Sequence, residues 1–210
     1  MDKLKTAALR QPELFVFTDG ASTYYGPDQE WYPEKWQQQA GCGPTVCSQL
    51  VWYLSKAAVG GQGLWPAAGQ TKEEFLPLML EVWNYVTPGM QGTNTTGLFS
   101  GGAVNYAKAR GVSLAPRVFE VGNIISQRSL PGMVDFLVGE LADNVPVAFM
   151  NLSNGKEDQL ESWHWVNLIS FNPQTMVAQS YDNGQKLEIN MKNWLGTSLL
   201  GGGLVSLRVV

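Results

Sequence analysis

Between residues 42 and 54, CGPTVCSQLVWYL, the apolar side chains Val46, Leu50, Val51 and Leu54 recur at the three-and-four spacing of a helix face. Pro44 suits the first turn of such a helix, where its missing N–H is no loss, so the pattern predicts a helix that begins at Cys42. AVGGQGLWPAAGQ breaks the periodicity. TKEEFLPLMLEVWNYV restores it behind a capping box of Thr71 and Glu74, and Pro77 is expected to kink the helix that follows. A third helix is predicted over 98–110, stopped by Gly111, and MVDFLVGELADN carries a further amphipathic pattern. LFVF, at 14–17, reads as a short strand ahead of a polar, aromatic loop.

Later in the chain the period falls to two. VSLAPRVFEV reads as a strand interrupted by Pro116, and VPVAFMNL, HWVNLISF, MVAQSYD, KLEIN and LVSLRVV are short segments rich in β-branched and aromatic residues. Helices in the first half and strands in the second predict an α+β fold: an N-terminal helical layer packed on a C-terminal, mainly antiparallel sheet. No internal repeat or long linker divides the chain, so residues 1–210 are expected to form a single domain, with about residues 1–13 as a loose leading segment. LLGGGLVS lacks the lysine and the strand-then-helix context of a phosphate cradle and reads as a turn before the last strand.

Composition narrows the function. Hydrophobic residues make up 44% and charged residues 15%, which excludes a disordered chain or a coiled coil. The net charge of −4, with no basic cluster, argues against nucleic acid as a partner. Apolar runs such as VPVAFM are too short for membrane insertion. MDKLKTAALRQPELF has no apolar signal-peptide core, so the protein is expected to be cytoplasmic, or else a signal has been removed. The sequons at Asn94 and Asn151 are short enough to arise by chance and carry no weight in a cytoplasmic protein.

Two cysteines do not make a disulfide framework. On one helix Cys42 and Cys47 would stand roughly 8 Å apart at Cα, too far for an unstrained bond. Two cysteines and one histidine are also a poor metal inventory, and no cofactor is expected. Both thiols are therefore read as free.

The thiolate is the reactive form of cysteine, and a helix N-terminus and a nearby imidazolium both favour it. Cys42 stands at a predicted helix start, and Gly41 and Gly43 are read as leaving it open to a substrate carbonyl. The one histidine, His164, opens HWVNLISF. Singly, such residues are most often structural; together they gain from a third. HWVNLISF, the turn NPQT and MVAQSYDNG form a hairpin that returns Asp182 or Asn183 beside His164. A two-residue turn would favour Asn183 and a one-residue shift Asp182, and either could orient the imidazole. Upstream, one of Gln37, Gln38 and Gln39 could join the Cys42 N–H in holding an oxyanion. Trp31, Tyr32, Trp36, Trp163 and Trp165 flank these segments; most are expected in the core, with Trp163 the best cleft candidate.

This order of residues resembles the papain-like cysteine peptidases, within them the bacterial branch that includes the double-glycine leader peptidases of bacteriocin exporters. The resemblance rests on QQQAGCGPT, the helix VCSQLVWYL, the HWV strand and QSYDNG, where many relatives have proline after the aspartate. It implies a papain-like fold and a cysteine peptidase or related amide hydrolase acting on a peptide or protein through an acyl-enzyme. Cys42 would be the nucleophile, His164 the base, Asp182 its orienting partner and Gln37, which best fits the family's offset, the oxyanion donor. Asn193, in MKNWLGT, lies a strand too late to be the catalytic asparagine of plant papains. A non-catalytic peptide-binding module and an acyltransferase or transglutaminase-like enzyme are the alternatives on the same scaffold.

Overall fold

The computed structural model describes residues 5–210. The helices are α1 (Lys35–Ala40), α2 (Cys42–Ala57), α3 (Lys72–Trp83), α4 (Thr96–Ala109), α5 (Leu130–Ala142) and α6 (Met191–Thr197). Their starts follow local chemistry. Thr71, Thr95, Ser129 and Asn190 each accept a hydrogen bond from an N–H three residues on, satisfying a donor that the first turn leaves free. The helix α3 runs on through Pro77, and Gly111, at φ +72°, lies just past the end of α4. The glutamine-rich segment before Cys42 is a helix of its own, α1.

The strands are β1 (Ala7–Ala8), β2 (Val16–Asp19), β3 (Ser22–Tyr25), β4 (Leu114–Val121), β5 (Val147–Asn151), β6 (His164–Asn172), β7 (Val177–Asp182), β8 (Gln185–Asn190) and β9 (Gly202–Val209). A seven-stranded sheet runs β4-β9-β5-β6-β7-β8, with β1 added on β6, and every pairing is antiparallel. Three expectations are corrected. The LFVF segment is half 3₁₀ turn, and its strand runs on to Asp19 and pairs with β3 inside the supposed loop. Pro116 does not interrupt β4, because β4 is an edge strand and tolerates a residue without an N–H. From Ala7 the leading segment is not loose: β1 pairs with Ser170 and Phe171, and Leu9 is buried. Residues 1–4 lie outside the described residues.

Alternation along the strands builds a core on each face of the sheet. Ala148 and Met150 of β5 and Val205 and Leu207 of β9 join α2, α3 and α4 on one side, while Val147, Phe149 and Leu204 join α5 and α6 on the other. The helical layer is thus not only N-terminal; α5 and α6 cover the far face. No helix among the described residues is long and apolar enough to cross a membrane.

Candidate active site

Cys42 is the first residue of α2. Its N–H therefore has no partner within that helix, and the positive end of the helix field falls on its side chain. The thiol is free and partly exposed, whereas Cys47 is in the core, where burial pushes its thiol well up. The flanking glycines act differently from the sequence reading. Both are buried; a Cβ at Gly43 would stand 2.6 Å from the Thr93 side chain, and one at Gly41 would meet the Tyr32 ring at 2.8 Å. They admit neighbouring protein, not substrate.

His164 opens β6 and is buried, with Nε2 2.8 Å from Oδ2 of the equally buried Asp182. Burial pulls the imidazole pKa down, but the Asp182 carboxylate and then the Cys42 side chain outweigh it, and the net shift is well upward. Cys42 Sγ also lies 4.0 Å from the carbonyl oxygen of Trp163, a residue held at φ +60°. A tryptophan in that left-handed region is strained, and the strain sits between the cleft and His164. The loop leading there is anchored by buried Asn151, which donates to the Glu161 carbonyl and accepts from the Trp194 indole. The sequence reading passed over Asn151 as a mere sequon.

The choice between Asp182 and Asn183 is settled by register. The hairpin turn is longer than two residues, with Asn172 opposite Val177, and a bulge between Leu168 and Ser170 shifts the pairing to Leu168 opposite Ser180. Two steps further, Asp182 falls opposite Val166, one pleat from His164 and within diagonal reach. Asn183, at φ 45°, begins the Asn-Gly turn into β8, and its side chain accepts from the Gln29 N–H. Asp28, half buried beside these residues, has its pKa raised by desolvation and by the Glu30 and Asp182 charges, against a backbone hydrogen bond from Glu30.

The three glutamines part company. Gln37 Oε1 accepts from the Glu34 N–H and closes a capping box on its own helix. Gln38 donates to the carbonyls of Glu30 and Tyr32. Only Gln39 lines the cleft beside Cys42, and no hydrogen bond ties its amide to the described residues. The cleft, of about 270 Å³, is walled by Trp36, Gln39, Met90, Gln91 and Trp163, none of them charged. Trp31, Tyr32 and Trp165 are core, while Trp36 and Trp163 are half exposed; of the five aromatics named from the sequence, Trp36 joins Trp163 in the cleft. Gly89 and Gly92 exchange backbone hydrogen bonds, and the turn they close presents Met90 and Gln91 to the cleft.

Asn193 hydrogen-bonds Lys156 and Glu157 at the start of α6, away from the imidazole. Among the described residues no group of three or more His, Cys, Asp or Glu side chains could hold a metal ion. What the arrangement can do is pair a partly exposed thiol with an imidazole whose cationic form a buried carboxylate favours. Compared with known proteins, the chain matches no family model and no curated sequence.

Proposed function

We propose that the chain is a cysteine peptidase, or a closely related amide hydrolase, of papain-like fold. The reading is carried by one observation: a buried His164–Asp182 pair at 2.8 Å beside the thiol of Cys42, at a helix start on an open cleft. The Cys42 proton passes to His164, and the sulfur attacks the substrate carbonyl. His164 returns the proton to the departing amine as the C–N bond breaks, leaving a thioester on Cys42. Water, deprotonated by His164, then attacks the thioester and releases the acid. Asp182 holds the imidazole through Nε2 and leaves its other nitrogen for Cys42.

The Cys42 N–H and the free amide of Gln39 are the donors for the oxyanion, in place of Gln37, whose side chain is engaged with its own helix. The uncharged, aromatic wall suits a peptide or protein substrate with a bulky neutral side chain near the scissile bond.

The test is iodoacetamide labelling of each cysteine at pH 6, read by mass spectrometry, followed by turnover of a fluorogenic peptide library. Cys42 is expected to label far faster than Cys47, and His164→Ala to slow it at least about tenfold. Equal rates at Cys42 in the native protein and the His164→Ala variant would refute the nucleophile assignment.

A further inference from the structure

Gln49 and Asn167 are both fully buried, and the Asn167 side-chain amide donates to Gln49 Oε1 between α2 and β6. On its other side Asn167 Oδ1 accepts the backbone N–H of Tyr181 in β7, at 3.2 Å. These two bonds join the three elements that carry the proposed triad. Gln49 lies about two turns along α2 from Cys42, Asn167 follows His164 on β6, and Tyr181 immediately precedes Asp182.

Their position coincides with a break in the sheet. The last β6–β7 pair toward the site is Leu168 with Ser180, next to the bulge. Beyond it the ladder gives way to side-chain bonds: Asn167 takes the Tyr181 N–H, and His164 takes Asp182. The turn of Asn183 and Gly184, at φ 45° and 77°, fixes β7 against β8 but says nothing about β7 against β6. A slip of one residue there would bring Asn183 to His164 and turn the Asp182 carboxylate away. The amide pair has directional requirements that an apolar pair lacks, and among the described residues the buried Gln49 Nε2 has no partner.

We propose that the Gln49–Asn167 amide latch sets the β6–β7 register and so places Asp182, not Asn183, beside His164. Both are then positioning residues for the hydrolysis proposed above, and in that respect the inference rests on that reading.

The lone histidine makes the test direct, because the imidazole of ¹⁵N-histidine-labelled protein gives one set of resonances to follow against pH. The charged and titratable groups facing it are Asp182 on β7 and Cys42 on α2, with Asp28 interacting with Asp182. Asn167→Leu removes both latch bonds; Asn167→Asp keeps an acceptor for the Tyr181 N–H. The titration midpoint of His164 is expected to fall toward the ordinary imidazole range in Asn167→Leu, with iodoacetamide labelling of Cys42 at least tenfold slower and the thermal midpoint lowered, because Gln49 Oε1 and the Tyr181 N–H lose their partner. Asn167→Asp is expected to keep most of both native signals. Should Asn167→Leu fail to fold, Gln49→Met removes one latch bond at matched length and is read in the same way. A His164 titration and labelling rate unchanged in the folded variants would overturn the latch. If Cys42 in the native protein does not react while the His164 titration still responds to Asn167→Leu, the latch stands and the hydrolase reading falls.

Discussion

Asp182 and Asn183 are neighbours with opposite consequences. Asp182→Asn keeps the shape but removes the charge that raises the His164 pKa. The alkaline limb of the pH–activity profile is therefore expected to move down toward neutrality, with kcat reduced, whereas Asn183→Ala leaves that limb in place; a kcat/KM profile against pH separates the two. Among the glutamines, Gln39→Ala is expected to lower kcat by about 10²–10³-fold, the usual cost of losing an oxyanion donor. Gln37→Ala should leave kcat near native, since its amide closes the capping box on α1. At this scale the sequence marked Cys42 and His164 through their residue types and surroundings. The residues alone left three adjacent glutamines open and the family offset favoured Gln37, whereas Gln39 faces the cleft, because that choice follows from α1, a helix that their polarity disguised.

Helix α2 is the element on which the site is built, and its start depends on close packing. Gly43→Ala would press a methyl group against Thr93, whose own carbonyl accepts from the indole of the core residue Trp165. Overpacking of this kind costs about 1–3 kcal/mol. A lower thermal midpoint and slower Cys42 labelling are expected, and Thr93→Ala in the same chain should restore both. If the double variant is no better than Gly43→Ala alone, the close contact is not the cause. The helix itself was legible from the spacing of Val46, Leu50, Val51 and Leu54, but its burial was not, since α2 is buried on every side from Gly43 to Ser55. Nor was the tight fit of Gly43, since Thr93 is remote in sequence and reaches it only in the folded chain.

Across the whole molecule, two charge arrangements make stability depend on different things. His164 has a folded pKa above its unfolded value of 6.5, so its pairing contributes fully below that pH and is lost as pH rises through the folded value. Thermal midpoints of the native protein and Asp182→Asn are accordingly expected to differ most at about pH 6 and to converge at alkaline pH. On the far face, Glu140 is fully buried on α5 and held by Arg117 of β4 and Arg208 of β9. Replacing both arginines with alanine leaves that carboxylate unpaired and is expected to cost about 3 kcal/mol in chemical denaturation, with Cys42 labelling unchanged. The sequence by itself determined the mixed α+β class, most helix and strand segments and the residue types of the candidate site, because periodicity, caps and turn chemistry act over a few neighbours. Only the tertiary structure decided that helices cover both faces of the sheet, that Gln39 rather than Gln37 faces the cleft, and that Asp182 rather than Asn183 meets His164. Those outcomes depend on a bulge, a register and buried amide contacts between segments far apart in the chain, where a shift of one residue exchanges one side chain for the next.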